Sequence, residues 1–110
     1  MAEFTTLSKR IEFSASHRYW NNDFTEEENL SIFGKCTSEY GHGHNYVLET
    51  TVRGPVDEDT GMIINIYKLK PILKSVLKEF DHKFLNLDTD YFEKLIPTTE
   101  NFAKILYECI

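Results

Sequence analysis

Residues 7–17, LSKRIEFSASH, and residues 42–53, HGHNYVLETTVR, share a period of two, and that period constrains this chain more than any other feature. In the first stretch Ile11, Phe13, Ala15 and His17 fall on one face, with Glu12, Ser14 and Ser16 on the other. In the second, His42, His44, Tyr46, Leu48, Thr50 and Val52 share a face, and Gly54-Pro55 ends the run. Successive side chains of an extended backbone point to opposite sides, so each stretch reads as a strand with one face to bury. If the two pair antiparallel, the end of the first lies beside the start of the second. His17 then lies next to His42 and His44.

Helical patterns supply cover for that face. Leu69, Ile72, Leu73, Val76, Leu77 and Phe80 recur at helical spacing between about Tyr67 and Phe80. Pro71 is tolerated in a first turn, which sets the helix start no earlier than about Tyr67. Phe102, Ile105, Leu106 and Cys109 form a second stripe behind a Thr98-Thr99-Glu100 cap. Thr25-Glu26-Glu27-Glu28 is a capping box, predicting a short helix near 26–32. Residues 57–61 read as a turn, Met62-Ile63-Ile64 as a brief extended run, and 81–97 as irregular.

A chain of 110 residues, 41% of them hydrophobic, suits one small domain, 1–110. Its net charge of −6, without any Lys/Arg run, argues against nucleic acid as a partner. No apolar stretch reaches the roughly 18 residues of a membrane span, and Met1 to Arg10 lacks a signal-peptide core. With only two cysteines, the expected setting is a reducing cytoplasm without disulfides.

Three neutral imidazoles would leave one position of a tetrahedral zinc open, as in catalytic rather than structural sites. The blander alternative is a hydrogen-bonded group of strand histidines. Cys36 lies six residues before His42. A thiol near a cation has a lowered pKa and can act as a base, although spacing alone favours a buried free cysteine. Asp81-His82 joins a carboxylate to an imidazole, either as a proton relay or as a histidine at a helix end. Cys109, on an apolar stripe, reads as core.

These segments resemble the 6-pyruvoyl-tetrahydropterin synthase family. The resemblance rests on FSASHR (13–18), EENL-x-x-FGKC (27–36) and Cys-x5-His-Gly-His-Asn-Tyr (36–46). It extends through TGMIIN (60–65), Asp81-His82-Lys83-x-Leu85-Asn86-Leu87-Asp88 and Thr98-Thr99-Glu100-Asn101. It implies an α+β tunnelling fold, an antiparallel sheet with two helices on one face. Three such sheets close a barrel, and two trimers stack into a homohexamer. It implies Zn2+ on His17, His42 and His44, and Cys36 as the proton-abstracting base. Asp81 and His82 would tune that thiol from a neighbouring subunit, and Thr98, Thr99 and Glu100 would form part of the pterin pocket.

The implied reaction is a lyase step of tetrahydrobiopterin biosynthesis, converting 7,8-dihydroneopterin triphosphate to 6-pyruvoyl-tetrahydropterin and triphosphate. The alternatives are a 6-carboxy-tetrahydropterin synthase of the queuosine precursor pathway and a shortened, non-catalytic zinc-binding paralogue. The family pattern continues with two further strands, one bearing a pterin-anchoring glutamate. The chain stops at Ile110 without a helix stop signal, so a C-terminal truncation is expected.

Overall fold

The computed structural model describes residues 3–110. Strand β1 (Phe4–His17) pairs antiparallel along its whole length with β2 (His42–Pro55). His17 stands opposite His42, Ala15 opposite His44, Phe13 opposite Tyr46 and Ile11 opposite Leu48. Directly opposed residues project to the same side. One face of the hairpin therefore carries Ile11, Phe13, Ala15 and His17 together with Leu48, Tyr46, His44 and His42, as the alternation predicts. Pairing runs on to Phe4 and Pro55, beyond the apolar alternation, because the backbone ladder does not depend on it.

Between the strands lies α1 (Glu26–Phe33), started by the expected capping box. Thr25 Oγ1 accepts from the Glu28 N–H at 3.1 Å, and Glu28 Oε1 accepts from the Thr25 N–H at 3.0 Å. Helix α2 (Ile66–Leu77) begins one residue earlier than expected, because the Asn65 side chain caps it by accepting from the Tyr67 N–H at 2.9 Å. Pro71 is consequently inside the helix rather than in its first turn. The carbonyl that loses its helical donor is that of Tyr67, at the exposed surface. The helix ends at Leu77, and a turn carries the fully buried Phe80. Met62–Ile64 pairs with no strand.

The segment after α2 is more ordered than the sequence indicates. Strand β3 (Lys83–Phe84) joins β1 in parallel beside Ala15 and Ser16, giving the sheet order β2-β1-β3. A one-turn helix α3 (Leu85–Asp88) follows. Two residues are too few to display a period, so only the pairing reveals the strand. The last helix, α4 (Thr99–Cys109), is capped by Thr98, whose Oγ1 accepts from the Asn101 N–H at 3.2 Å. Among the described residues no helix is long and apolar enough to cross a membrane.

The core gathers Phe13 and Ala15 of β1, Leu77 of α2, Phe80, Leu85, Phe92, and Phe102 and Leu106 of α4. Helices α2 and α4 thus cover the same face of the hairpin. Each fully buried large side chain contributes roughly 1.5–3 kcal/mol. All of this packing lies toward the His17–His42 end, and the histidines sit at its edge.

Candidate metal centre

His17 is the last residue of β1 and is only 2% exposed. Its ring stacks on Tyr19, with centroids 4.3 Å apart and planes at 21°. The His44 ring lies 4.6 Å away and the His42 ring 6.4 Å, while His42 and His44 are 4.5 Å from each other. Strand geometry alone brings these rings together, since residues i and i+2 of β2 share a face and β1 ends beside them.

His17 Nδ1 lies 2.7 Å from the Tyr46 hydroxyl. Its Nε2 is buried and has no hydrogen-bond partner among the described residues. An imidazole nitrogen buried this way forfeits roughly 1–3 kcal/mol unless something else occupies its lone pair. Burial, then the nearby His44 and His42, push the His17 pKa down to about 4. His17 therefore stays neutral around pH 7, the form in which imidazole binds metal.

Cys36 reaches the same place from a 3-10 turn, Gly34–Thr37, that follows α1. Gly34 makes this turn possible with a φ of 59°. The ligand atoms of His17, Cys36 and His44 all lie within 4.8 Å of one another. His42, the third histidine of the set read from the sequence, is not one of these three, and its ring lies 4.5 Å from that of His44. His42 remains in contact through the His44 ring. Neutral imidazoles and a thiol are donors that suit zinc, so the residues fit that ion.

Several unanticipated residues hold Cys36. The Tyr19 N–H donates to the Cys36 carbonyl at 2.7 Å, and Arg18 Nε donates to the Thr37 carbonyl at 3.0 Å. Asn86 clamps Arg18 in turn. Its Oδ1 accepts from the Arg18 N–H and its Nδ2 donates to the Arg18 carbonyl, both at 2.8 Å. Nothing in the sequence marks Asn86 for this role, since it lies 68 residues from Arg18. Tyr46 was open to detection, as it continues the His42, His44 face by one more step of two.

The start of α4 borders the cluster. Burial raises the Tyr19 phenol, with Thr99 beside its hydroxyl pulling the other way and Glu100 also near. Thr98 is occupied as the helix cap. A separate cleft of about 580 Å³ opens on the Arg18 side, between Trp20 and residues 86–97, and none of the clustered donors lines it.

Asp81 and His82 stand elsewhere. Asp81 Oδ1 accepts from the Ser14 N–H at 3.0 Å and lies 2.9 Å from His82 Nδ1. The Ser14 N–H, more than any other group, holds the Asp81 carboxyl below the usual carboxylate range. His82 donates its N–H to the Ser14 carbonyl at 2.6 Å and takes a φ of 61°, in the left-handed region unfavourable to a non-glycine residue. Its side chain is 81% exposed. Ser14 and Asn45, linked by a 2.9 Å hydrogen bond, belong to the polar face of the hairpin. The Asp81–His82 pair is therefore fastened to the edge and polar side of the sheet, while Cys36 and the three histidines occupy the other face.

The family model described as 6-pyruvoyl tetrahydropterin synthase matches residues 6–110. A 6-pyruvoyl tetrahydrobiopterin synthase of Drosophila melanogaster is 47% identical over 105 residues, 94% of this chain and 62% of that protein. The Homo sapiens protein of that name is 44% identical over 103 residues, 93% of this chain and 71% of that protein. The solved structure of Caenorhabditis elegans 6-pyruvoyl tetrahydropterin synthase superposes with a TM-score of 0.93 at 37% identity, covering 98% of this chain and 77% of that one. The chain thus spans about two thirds of its relatives' length, and it belongs to the 6-pyruvoyl tetrahydropterin synthase family.

Proposed function

We propose that this chain carries the metal centre of a lyase converting 7,8-dihydroneopterin triphosphate to 6-pyruvoyl-tetrahydropterin, in tetrahydrobiopterin biosynthesis. The carrying observation is that His17, a member of a cluster of histidine and thiol donors, has a buried Nε2 without a hydrogen-bond partner among the described residues. Family membership, with relatives bearing that enzyme's name, supports the pathway.

His17, His42 and His44 are the residues that would hold Zn2+. When bound, zinc supplies Lewis acidity toward the oxygens of the substrate side chain, making the neighbouring C–H bonds more acidic. The rest is work for the chain. His17, kept neutral by burial, retains a lone pair for the ion. Cys36, held through Arg18 and Tyr19, is the base that takes a side-chain proton. The C–O bond to triphosphate breaks as that proton leaves, and tautomerisation completes an internal redox without nicotinamide. Thr99 and Glu100, next to Tyr19, would border the pterin.

Asp81 accepts from His82 and so orients it, but the pair serves the polar side of the sheet. A relay from His82 to Cys36 therefore calls for a second copy of the chain, in keeping with the family's homohexamer of two stacked trimers. Such self-association and a cytoplasmic setting are parts of the same proposal.

The test is incubation with dihydroneopterin triphosphate in the presence of zinc, followed by product analysis. Release of triphosphate and the pyruvoyl product is expected. Acetaldehyde with a carboxylated pterin would instead assign the related 6-carboxy-tetrahydropterin synthase, and zinc binding without turnover would assign a non-catalytic paralogue. A second arrangement has its own support: Cys36 stands close enough to His17 and His44 to be a ligand itself. Cys36→Ala separates the two. Zinc retained with turnover abolished fits a base, and zinc lost fits a ligand. His42→Ala should cost the metal, and full zinc occupancy in that variant would remove His42 from the set.

A further inference from the structure

The face of β2 that presents His42 and His44 presents Tyr46 two residues further on, opposite Phe13. Ala15 is the only β1 residue between Phe13 and His17 on that face, and its methyl is too short to separate Tyr46 from His17. The phenol reaches His17 Nδ1 at 2.7 Å. We propose that Tyr46 is a positioning residue of the metal centre: its hydroxyl accepts the Nδ1 proton of His17 and so holds the ring in the tautomer that leaves the Nε2 lone pair free for a metal ion. This rests on reading that cluster as a metal site.

Only two assignments of the shared proton exist for a neutral ring. If Tyr46 donated to Nδ1, the His17 proton would sit on Nε2. That N–H would be buried with no acceptor, since Nε2 has no hydrogen-bond partner among the described residues. An unmet buried donor costs roughly 1–3 kcal/mol. With the proton on Nδ1, the hydrogen bond is retained, the Tyr46 hydroxyl turns its own proton away from the ring, and the buried Nε2 is a lone pair that a cation satisfies, whereas an Nε2 proton would block it. Histidine ligands are commonly oriented by a partner on the other ring nitrogen.

The hydroxyl is well placed because the core immobilises its ring. Tyr46 stacks on Phe13 with centroids 5.3 Å apart and planes at 16°. It meets Phe102 edge-on, also at 5.3 Å. The aromatic core under α4 thereby sets where the His17 ring points. Tyr46→Phe keeps both aromatic contacts and removes only the oxygen.

Two measurements on the full chain decide the matter. The first is zinc affinity by competition with a chromogenic chelator. Tyr46→Phe should bind zinc roughly 10- to 100-fold more weakly than the wild type. The second is the 15N spectrum of the histidine rings in the metal-free wild type, which needs no variant. It should show the His17 proton on Nδ1, and Tyr46→Phe should move population to the Nε2-protonated form. Unchanged zinc affinity in Tyr46→Phe, or a wild-type ring protonated on Nε2, would overturn the assignment. A wild type that takes up no zinc at all would instead overturn the metal reading beneath it.

Discussion

The two faces of the β1–β2 hairpin follow one pairing rule and reach opposite states. On the face that meets α2 and α4, Phe13 and Ala15 lie in the core, His17 is buried at its edge, and Gly54 is buried near the far end. On the opposite face Phe4 is 58% exposed. That face carries a 2.7 Å bond between Ser8 and Thr51, an Arg10–Glu49 ion pair at 3.8 Å, and Arg53 over the Phe4 ring at 4.9 Å. Alternation is enough to make a strand, but only a covered face holds side chains still. The donors cluster where the cover is, as a site needing fixed ring orientations requires.

The contrast breaks most completely at Phe102, which is 2% exposed and meets Phe13, Tyr46, Phe80 and Phe92. Phe102→Ala should cost about 3–5 kcal/mol in urea unfolding, through lost burial and the cavity left behind. It should also loosen Tyr46 and weaken zinc binding. A loss below about 1 kcal/mol would mean that α4 does not hold the covered face.

Acid should weaken the same face next. The His17 pKa is about 4 in the folded chain, against 6.5 for an ordinary histidine, so the unfolded chain takes up this proton first as pH falls. The metal-free protein keeps its full stability above pH 6.5 and loses about 3 kcal/mol between pH 6.5 and 4 through this group. His17→Gln should flatten that part of the profile. Unfolding the wild type and the variant across this range isolates the effect, because carboxylates held low, such as Asp81, contribute equally to both. Parallel profiles would show that His17 is not shielded.

The turn that delivers β2 to the site is a smaller lever. Gly41 has a φ of 90°, and a Cβ there would lie 2.8 Å from Phe84 Cε1. Gly41→Ala should therefore destabilise by about 1–3 kcal/mol and displace His42, read as a lower thermal midpoint with weaker zinc binding. Neutral behaviour would mean that Phe84 yields easily.

What the sequence made legible follows from period and local chemistry. Alternation gave β1, β2 and the meeting of His17 with His42 and His44, and side-chain caps gave α1 and α4 through Thr25 and Thr98. Features without a period stayed hidden. Lys83–Phe84 is too short to alternate, and the Asn86 clamp joins residues far apart in the chain. Cys36 reaches His17 and His44 through a 3-10 turn whose path no spacing rule predicts. The Pro71 position misled because the Asn65 cap, not the proline, sets where α2 begins.

The smallest effect expected is also the one that tests how independent the polar face is. Arg10 and Glu49 are both well exposed, at 69% and 58%, and their 3.8 Å separation is long for a charge pair. An exposed pair of this kind contributes roughly 0–1 kcal/mol, since water and salt screen it and two flexible side chains must be ordered. Arg10→Ala should therefore change the unfolding free energy by no more than about 0.5 kcal/mol and leave zinc affinity unchanged, because the donors sit beyond the aromatic layer of Phe13, Tyr46 and Phe102. If the protein self-associates, the same variant should be measured above and below the concentration at which it does so. A loss of about 2 kcal/mol confined to the associated form would place Arg10 and Glu49 inside an interface, where an ion pair deprived of one partner leaves the other charge buried. The two faces would then differ in which chain supplies the cover rather than in whether they are covered.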